Sequence, residues 1–550
     1  MSGLYDDHSV ECPLDVGSTH APPAQLRGPG RRWARRRRSL ALASSLLALV
    51  VLLGLVVAGY GLYLNGKVHR IAVGHLSPAS GTAPSGAANG GGTENIMLVG
   101  STSRCDLKIQ EPQFGLCSQG VTGVNSDVIM IMHLDRVART VSVLSIPRDT
   151  FIPNARAEGA NKIDAALAQG PTQLVDAVQQ DFGIPVQHYV ELNFETFAAV
   201  VNALGGVHMN FPEPVFDAFS GLNVGSAGCR ALNGSQALQV VRARHLQHQG
   251  PATTAADARF WPQESQSDLA RIRRTHEFLR VLAGAAAQRG LANPLTGQRL
   301  AAAVAPQLQV DSGLDLASLT NLLLTYRNVN IGAVPQLTLP VVSTTSGSYR
   351  YKGGNYGEIV WPSQPQDEQT IGQFLNIDAA NDTMTGRPLP APDSVSVSVR
   401  TGTGMPAATD RTTVELSGLG FRVLRGTPVP PVAAESETVV SYASPQYLAA
   451  AETVLHALSG YAVLAMNPAQ TTPGSQVTVI TGSHFSVAHT GIPGQSASNG
   501  PDGRQAAPGL SATAPLPTPV RSVGVQAGPA PTPATEPLAA WDPRACSNSQ

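Results

Sequence analysis

The sequence predicts an α/β protein: one membrane-spanning helix, a central β-sheet covered by helices on both faces, and a second, smaller α/β unit behind it. Three observations carry this. Apolar runs of strand length alternate with stretches of helical spacing between Asn95 and Asp378. A shorter unit of the same alternating kind follows a break rich in Pro, Asp, Thr and Ala at Ala379–Asp393. Ahead of both, Leu40–Leu64 contains no charged residue. At 550 residues the chain is roughly three to four times a typical domain length of about 150, which fits this division into units.

Taken in order, residues 1–38 carry Arg27, Arg31, Arg32 and Arg35 to Arg38, whereas only Lys67, His69 and Arg70 follow the apolar run closely. The positive-inside rule therefore makes 1–38 a cytoplasmic Arg-rich tail. Residues 39–64 are long enough to cross a hydrocarbon core of roughly 30 Å. Bulky Tyr60, Leu62, Tyr63 and Leu64 replace the small residues of a signal cleavage site, so an uncleaved anchor is expected. This predicts a single-pass type II protein of the cell membrane with the bulk of the chain extracellular. Residues 65–93, Gly-rich from Gly74 onward, read as a flexible linker.

The main domain is expected at 94–378, with strands at Ile96–Val99, Val128–Met132 and Val141–Ile146 and helices at Pro171–Phe182, Glu195–Leu204 and Asp268–Leu282. After a linker at 379–393, the second unit occupies 394–488, with strands at Ser394–Val399, Phe421–Leu424, Thr438–Tyr442 and Gln476–Ile480. Helices at Pro406–Ser417 and Pro445–Leu458 separate them. Residues 489–550 are expected to be a disordered tail, because Gly491–Gln550 holds 11 Pro and 7 Gly and little that can be buried.

Thirty-seven basic against 38 acidic residues leave a net charge of −1, which excludes a chain-wide nucleic-acid binder. Only 14% of residues are charged, yet the main domain concentrates arginine at strand ends and on one helix. Arg104 ends IMLVGSTSR, Arg148 and Asp149 end VSVLSIPRD, and Arg242 and Arg244 share VVRARH. Asp268, Arg271 and Arg274 recur every third residue of DLARIRR, along one side of a helix. Guanidinium groups so placed suit a polyanion, because each offers a planar fork to phosphate oxygens. Salt bridging to nearby Asp and Glu is the alternative. A pyrophosphate comes with Mg²⁺ held by one or two acids, and Asp127, just before a strand, is the best ligand candidate, or else a turn or cap residue. The His and Cys spacings support neither zinc nor redox chemistry, and no Gly-x-Ser-x-Gly elbow sits at a strand-to-helix turn.

These residues lie in seven segments that together resemble the LytR-CpsA-Psr family of cell-envelope enzymes: NIMLVGSTSR, NSDVIMIMHLD, TVSVLSIPRDTFIP, ANKIDAA, HYVELNFETFAAVVNALGGV, GCRALNGSQALQVVRARH and SDLARIRRTHEFL. VSVRTGTG, GFRVL and VTVITG resemble the small LytR-type carboxy-terminal domain appended to such proteins. The resemblance implies a central mixed β-sheet between helices. It also implies a transferase that moves a polyprenyl-pyrophosphate-linked glycopolymer onto peptidoglycan N-acetylmuramic acid, with Mg²⁺ as cofactor and the isoprenoid in an apolar cavity. Peptidoglycan, the lipid-linked glycan and membrane lipid are the implied partners, and nucleic acid is not. Arg104, Arg148, Arg242, Arg244 and Arg271 would bind the pyrophosphate, with Asp268 and Arg274 completing the D-x-x-R-x-x-R helix. Asp149 or Asp268 could accept a proton or simply pair with arginines. Where the family has a second metal-ligand Asp this chain has Thr102, for which Asp106 could substitute.

Two other functions stay open: a non-catalytic envelope-stress sensor or attenuator, and a polyprenyl pyrophosphatase. The sequence is silent on oligomeric state. Finally, Cys12 is expected in the reducing cytoplasm and Cys546 in the tail, leaving Cys105, Cys117 and Cys229. A Cys105–Cys117 disulfide closing a short loop is expected, with two free thiols as the alternative. In related proteins the position of Cys229 pairs with a cysteine where this chain has Asn210.

Overall fold

The computed structural model describes residues 63, 65–78, 92–102, 118, 124–250, 256–265, 267–291, 302, 308–326, 328–343, 347–402, 406–424, 437–487, 535 and 537–547. Apart from Tyr63, the apolar run Leu40–Leu64 lies outside them, as do Arg104, Cys105, Asp106 and Cys117. No helix among the described residues is long and apolar enough to cross a membrane.

The expected central sheet is present and mixed. Its strands are β1 (His69–Ile71), β2 (Thr93–Ser101), β3 (Ser126–Asp135), β4 (Thr140–Ser145), β5 (His188–Leu192), β6 (Gln309–Asp311) and β7 (Gln336–Thr338), in the spatial order β1-β6-β5-β2-β3-β4-β7. β2, β3 and β4 run antiparallel to their neighbours in that trio, and β5 and β7 add parallel on either side. Alternation along β2 explains why its apolar residues are continuous: each side of the pleat is covered. Met97 and Val99 meet α1 (Pro171–Phe182) and residues Ile371, Phe374 and Leu375 of a later helix on one face. Ile96 packs with Leu314 and Leu322 on the other. A separate cluster joins α2 (Phe194–Ala203), α3 (Gly234–Arg242) and Phe278 of the long helix α4 (Ser267–Ala285) to a hairpin of Val207–Phe211 and Gly228–Leu232.

The sheet edge is pinned by charge. His188 on β5 bridges Glu94 of β2 and Asp311 of β6, at 3.1 and 3.0 Å. Burial opposes protonation of His188, but the hydrogen bonds its ring donates to Asp311 and Glu94 outweigh it and push the ring up to about 9. Both carboxyls are held below their ordinary range despite burial, chiefly through His188.

Two expectations about linkers need correction. Residues 65–78 do not belong to a flexible stalk: β1 pairs with β6, and Ile71, Val73 and Leu76 pack on the main core, because this stretch carries its own apolar residues ahead of the Gly-rich run. The tail is also ordered at its far end. Arg544–Ala545 adds a strand to Val207–Phe211, Asp542 is completely buried, and Cys546 is disulfide-bonded to Cys229 across 317 residues. Cys229 thus has its partner in the segment expected to be disordered.

The second unit has the predicted alternation. Its sheet orders Arg422–Val423, Ser396–Thr401, Val477–Thr481, Thr438–Tyr442 and Ala462–Met466, and it packs against Leu416, Leu448, Ala451 and Val454. It docks on the first domain through the Tyr442 hydroxyl, which donates to the Gln180 carbonyl at 3.0 Å, and the expected linker 379–393 is itself packed between the two, with Asp382 buried and the Thr383 hydroxyl donating to the Gly183 carbonyl at 2.6 Å.

Two outcomes are expected. Cys546→Ser should cost about 2–5 kcal/mol in denaturant unfolding; an unchanged midpoint would show that the terminal strand is not a tether. The contribution of His188 should be complete below its ordinary value of 6.5 and lost as pH rises through about 9. Melting temperature should accordingly fall over that window, and fall less in His188→Gln.

Candidate active site

The register of the β3–β4 pair builds the site. Met130 lies opposite Ser145, and the pairing continues past the strand end as Ile146 N donates to Ile129 O at 2.9 Å, bringing Arg148 opposite Asp127. Pro147 has no N–H to extend the ladder, and the chain turns there, with Thr150 N donating to the Pro147 carbonyl at 3.1 Å. Asp149 thereby projects toward the first turn of α4 and the residue after α3. Around it three other elements converge: Lys162 from the hairpin Phe151–Lys162, Arg244 just beyond α3, and Asp268 and Arg271 at the start of α4.

Two carboxylates organise these cations. Asp149 takes Lys162 Nζ at 2.7 Å, Arg244 Nη2 at 2.9 Å and Arg148 Nε at 3.7 Å. Asp268 takes Arg271 Nη2 at 2.9 Å, Arg244 Nε at 3.2 Å and Arg148 Nε at 3.8 Å. Arg148 also pairs with Asp127 through Nη1. Burial would raise Asp127 and Asp149, but their arginines more than offset it and hold both below the ordinary carboxylate range. Arg148 is correspondingly raised, its neighbouring carboxylates outweighing burial. Asp164, in the same neighbourhood, goes the other way: burial pushes it up to about 6 against the pull of Arg148.

Asp149, Arg244 and Asp268 line a cleft of about 360 Å³, together with Pro147, Glu264 and Val360. Arg244 keeps 26% of its side chain exposed and Arg148 20%, whereas Arg271 keeps 4%. Arg242 stands with its guanidinium 4.4 Å from the centre of the Phe194 ring and acts electrostatically on Asp127. Arg148, Lys162, Arg242, Arg244 and Arg271 stand among Asp127, Asp149, Asp164 and Asp268, and Glu264 and Glu358 join the cleft wall, so the site concentrates paired guanidinium groups without a surplus of positive charge. Their planar forks suit the oxygens of a polyanion.

Arg274 does not join it. Each three-residue step on a helix turns the side chain back by roughly 60°, so the second step from Asp268 carries Arg274 to the packed side. There it is completely buried, paired with Glu264 at 2.6 Å and Asp542 at 3.4 Å. The spacing that suggested one functional stripe therefore serves two faces. Lys162 and Asp164 were not selected from the sequence, although both lie in ANKIDAA, where two charges inside an otherwise apolar segment of a charge-poor chain were the available signal.

For Mg²⁺, Asp127 is one hard oxygen donor, with Oδ1 on Arg148. Thr102 is not a second: its hydroxyl donates to the Asn125 carbonyl at 3.3 Å. No group of three or more His, Cys, Asp or Glu suited to a metal occurs among the described residues, and Asp106 lies outside them. A Mg²⁺ site that relies on substrate phosphates uses only one or two carboxylates, so Asp127 fits as one of them. Behind Asp127 and Arg271, the gap between β3, β4 and α4 measures only about 10 Å³, so room for a prenyl chain is not preformed at this point. Ser145 and His276 share a 2.7 Å hydrogen bond beside it, and burial lowers His276 to about 4, which keeps the ring neutral.

Residues 67–360, more than half of the chain, match the LytR_cpsA_psr family, and residues 394–485 match the domain described as LytR cell envelope-related transcriptional attenuator. Among curated relatives, the cell wall biosynthesis protein LcpA of Corynebacterium glutamicum is 30% identical over 347 residues, covering 58% of this chain and 62% of that protein. The probable cell wall biosynthesis protein LcpB of the same organism is 30% identical over 339 residues, covering 60% of this chain and 73% of LcpB. The polyisoprenyl-teichoic acid–peptidoglycan teichoic acid transferase TagU of Bacillus subtilis is 28% identical over 217 residues, 39% of this chain and 65% of TagU. By the extent of the family match and the similarity to LcpB, this chain belongs to the LytR_cpsA_psr family, with a LytR-type domain following the family domain.

Proposed function

We propose that the protein is a membrane-anchored, extracytoplasmic transferase that moves a glycopolymer from a polyprenyl diphosphate carrier onto peptidoglycan. The observation that carries this reading is the convergence of Arg148, Arg244 and Arg271 on Asp149 and Asp268 at one end of a cleft that Asp149, Arg244 and Asp268 line. Its similarity to cell wall biosynthesis proteins, and to a polyisoprenyl-teichoic acid–peptidoglycan teichoic acid transferase, supports this reading.

In this reading Arg148 and Arg244 grip the diphosphate oxygens from the open side of the cleft, and Arg271 supports them from its buried floor. Asp149 and Asp268 keep the forks aimed before substrate arrives, so little reorganisation is needed when charge builds on the departing polyprenyl phosphate. Asp127, with Asp106 as the second carboxylate, would hold Mg²⁺; when bound, the ion neutralises charge on the diphosphate. The anchor at 39–64 would keep the domain beside the lipid carrier on the outer face of the membrane.

The direct test incubates the full chain with polyprenyl-diphosphate glycan and peptidoglycan and asks whether glycan becomes releasable by muramidase. Release is expected; hydrolysis of the carrier without release would make the protein a pyrophosphatase instead. Two variants separate binding from folding. Arg244→Ala should weaken binding of a soluble prenyl diphosphate by about 10- to 150-fold, from the loss of charged hydrogen bonds worth about 1.5–3 kcal/mol, with little change in melting temperature. Arg148→Ala leaves Asp127 without its close partner and should destabilise the fold by about 3–5 kcal/mol as well. For topology, protease added to intact protoplasts should digest an epitope placed after Asn65 and spare one placed before Arg38.

A further inference from the structure

We propose that Glu264 is the general base of the transfer, taking the proton of the acceptor hydroxyl on Oε1. This deepens the transferase reading and rests on it. Glu264 lines the same cleft as Asp149, Arg244 and Asp268, yet unlike them it is held from behind. Its Oε2 accepts from Arg274 Nη1 at 2.6 Å, and its backbone N–H donates to the Leu246 carbonyl at 2.9 Å. Arg274 is itself fixed, donating through Nη2 to the Ala243 carbonyl and lying 3.4 Å from Asp542. One oxygen of Glu264 is thus committed to the scaffold. The other, Oε1, is buried without a hydrogen-bond partner, in a side chain that is only 1% exposed.

A buried acceptor left open is costly, and a position at the wall of a reaction cleft gives it a use. The competing carboxylates are less suited. Asp149 is shared among Lys162, Arg244 and Arg148, and Asp268, whose oxygens likewise lack a hydrogen-bond partner, is ion-paired with Arg271, Arg244 and Arg148, so a proton on either would weaken ion pairs that aim the arginines. Glu358, also in the wall, is exposed. Burial holds Glu264 above the ordinary glutamate value, with Asp542 adding to it and Arg274 and Arg273 opposing it, which makes it the better proton acceptor near neutral pH. The charged side chains that share the cleft wall with it are Arg244, Asp149, Asp268 and Glu358.

In the step itself the acceptor oxygen forms the new bond to phosphorus as its proton passes to Oε1. The bond from that phosphorus to the bridging oxygen breaks, and its electron pair leaves with the polyprenyl phosphate. No oxidant or further reactant is required.

The test uses the full chain with polyprenyl-diphosphate glycan and peptidoglycan. Glu264→Gln keeps an oxygen for Arg274 and removes the base. Its kcat should fall by about 100-fold or more, with prenyl diphosphate binding and melting temperature close to those of the unmodified chain. The acid limb of the pH–rate profile, which should lie above the ordinary carboxylate range in the unmodified chain, should vanish from the residual activity. Transfer by Glu264→Gln at an unchanged rate and pH profile overturns the assignment while leaving the transferase reading intact. If the variant does not fold, the unmodified chain decides: a rate independent of pH through the acid range overturns the assignment, and the expected limb supports it. No transfer by the unmodified chain overturns both.

Discussion

Asp149 and Asp268 are the fixed points of this molecule. Between them they hold Arg148, Lys162, Arg244 and Arg271, which arrive from a strand end, a hairpin, the segment after a helix and the first turn of another. Largely buried charges are tolerated only when paired, so the two carboxylates together dictate where four separate segments must lie. The same pairing prepares the site for its ligand. In the proposed reaction, guanidinium groups already oriented by carboxylates lose little on gripping a diphosphate.

Helix α4 transmits this constraint to the end of the chain. Its first turn carries Asp268 and Arg271 into the cleft, and the next carries Arg273 and Arg274 to Asp542, which is completely buried. Trp541 stacks on His248 with ring centres 3.9 Å apart, and Ala545 N donates to Glu277 at 2.8 Å. The chain therefore leaves the first domain, builds the second, and returns to complete the wall behind the cleft, where the Cys229–Cys546 bond secures it. That return gives the last residues a structural task that their distance in sequence conceals.

Strands β2, β3 and β4, helices α1 and α2 and most of the second unit were legible because their apolar periods are long, whereas β1, β5, β6, β7 and the strand Ala462–Met466 are short and were not. The convergence of Arg148, Arg244 and Asp268 was legible as chemistry, since arginine stands out in a chain with 14% charged residues. Pairing partners were less so. That Arg274 serves the packed face, that Glu264 stands behind it, and that Lys162 reaches Asp149 all depend on contacts between segments distant in sequence. Composition misled at the tail: a Pro- and Gly-rich stretch has too little to bury alone, but Trp541, Asp542 and Cys546 at its end need only a surface made elsewhere. Likewise β1 is a three-residue strand whose order comes from its partner β6.

The central claim is that the paired arginines form a prepared diphosphate clamp. A crystal structure of the full chain with a short prenyl diphosphate tests it most directly. The diphosphate should lie in the cleft with its oxygens on Arg148 and Arg244, and Asp149 and Asp268 should still hold those arginines. A diphosphate bound elsewhere, or arginines that must abandon both carboxylates to reach it, would contradict the claim.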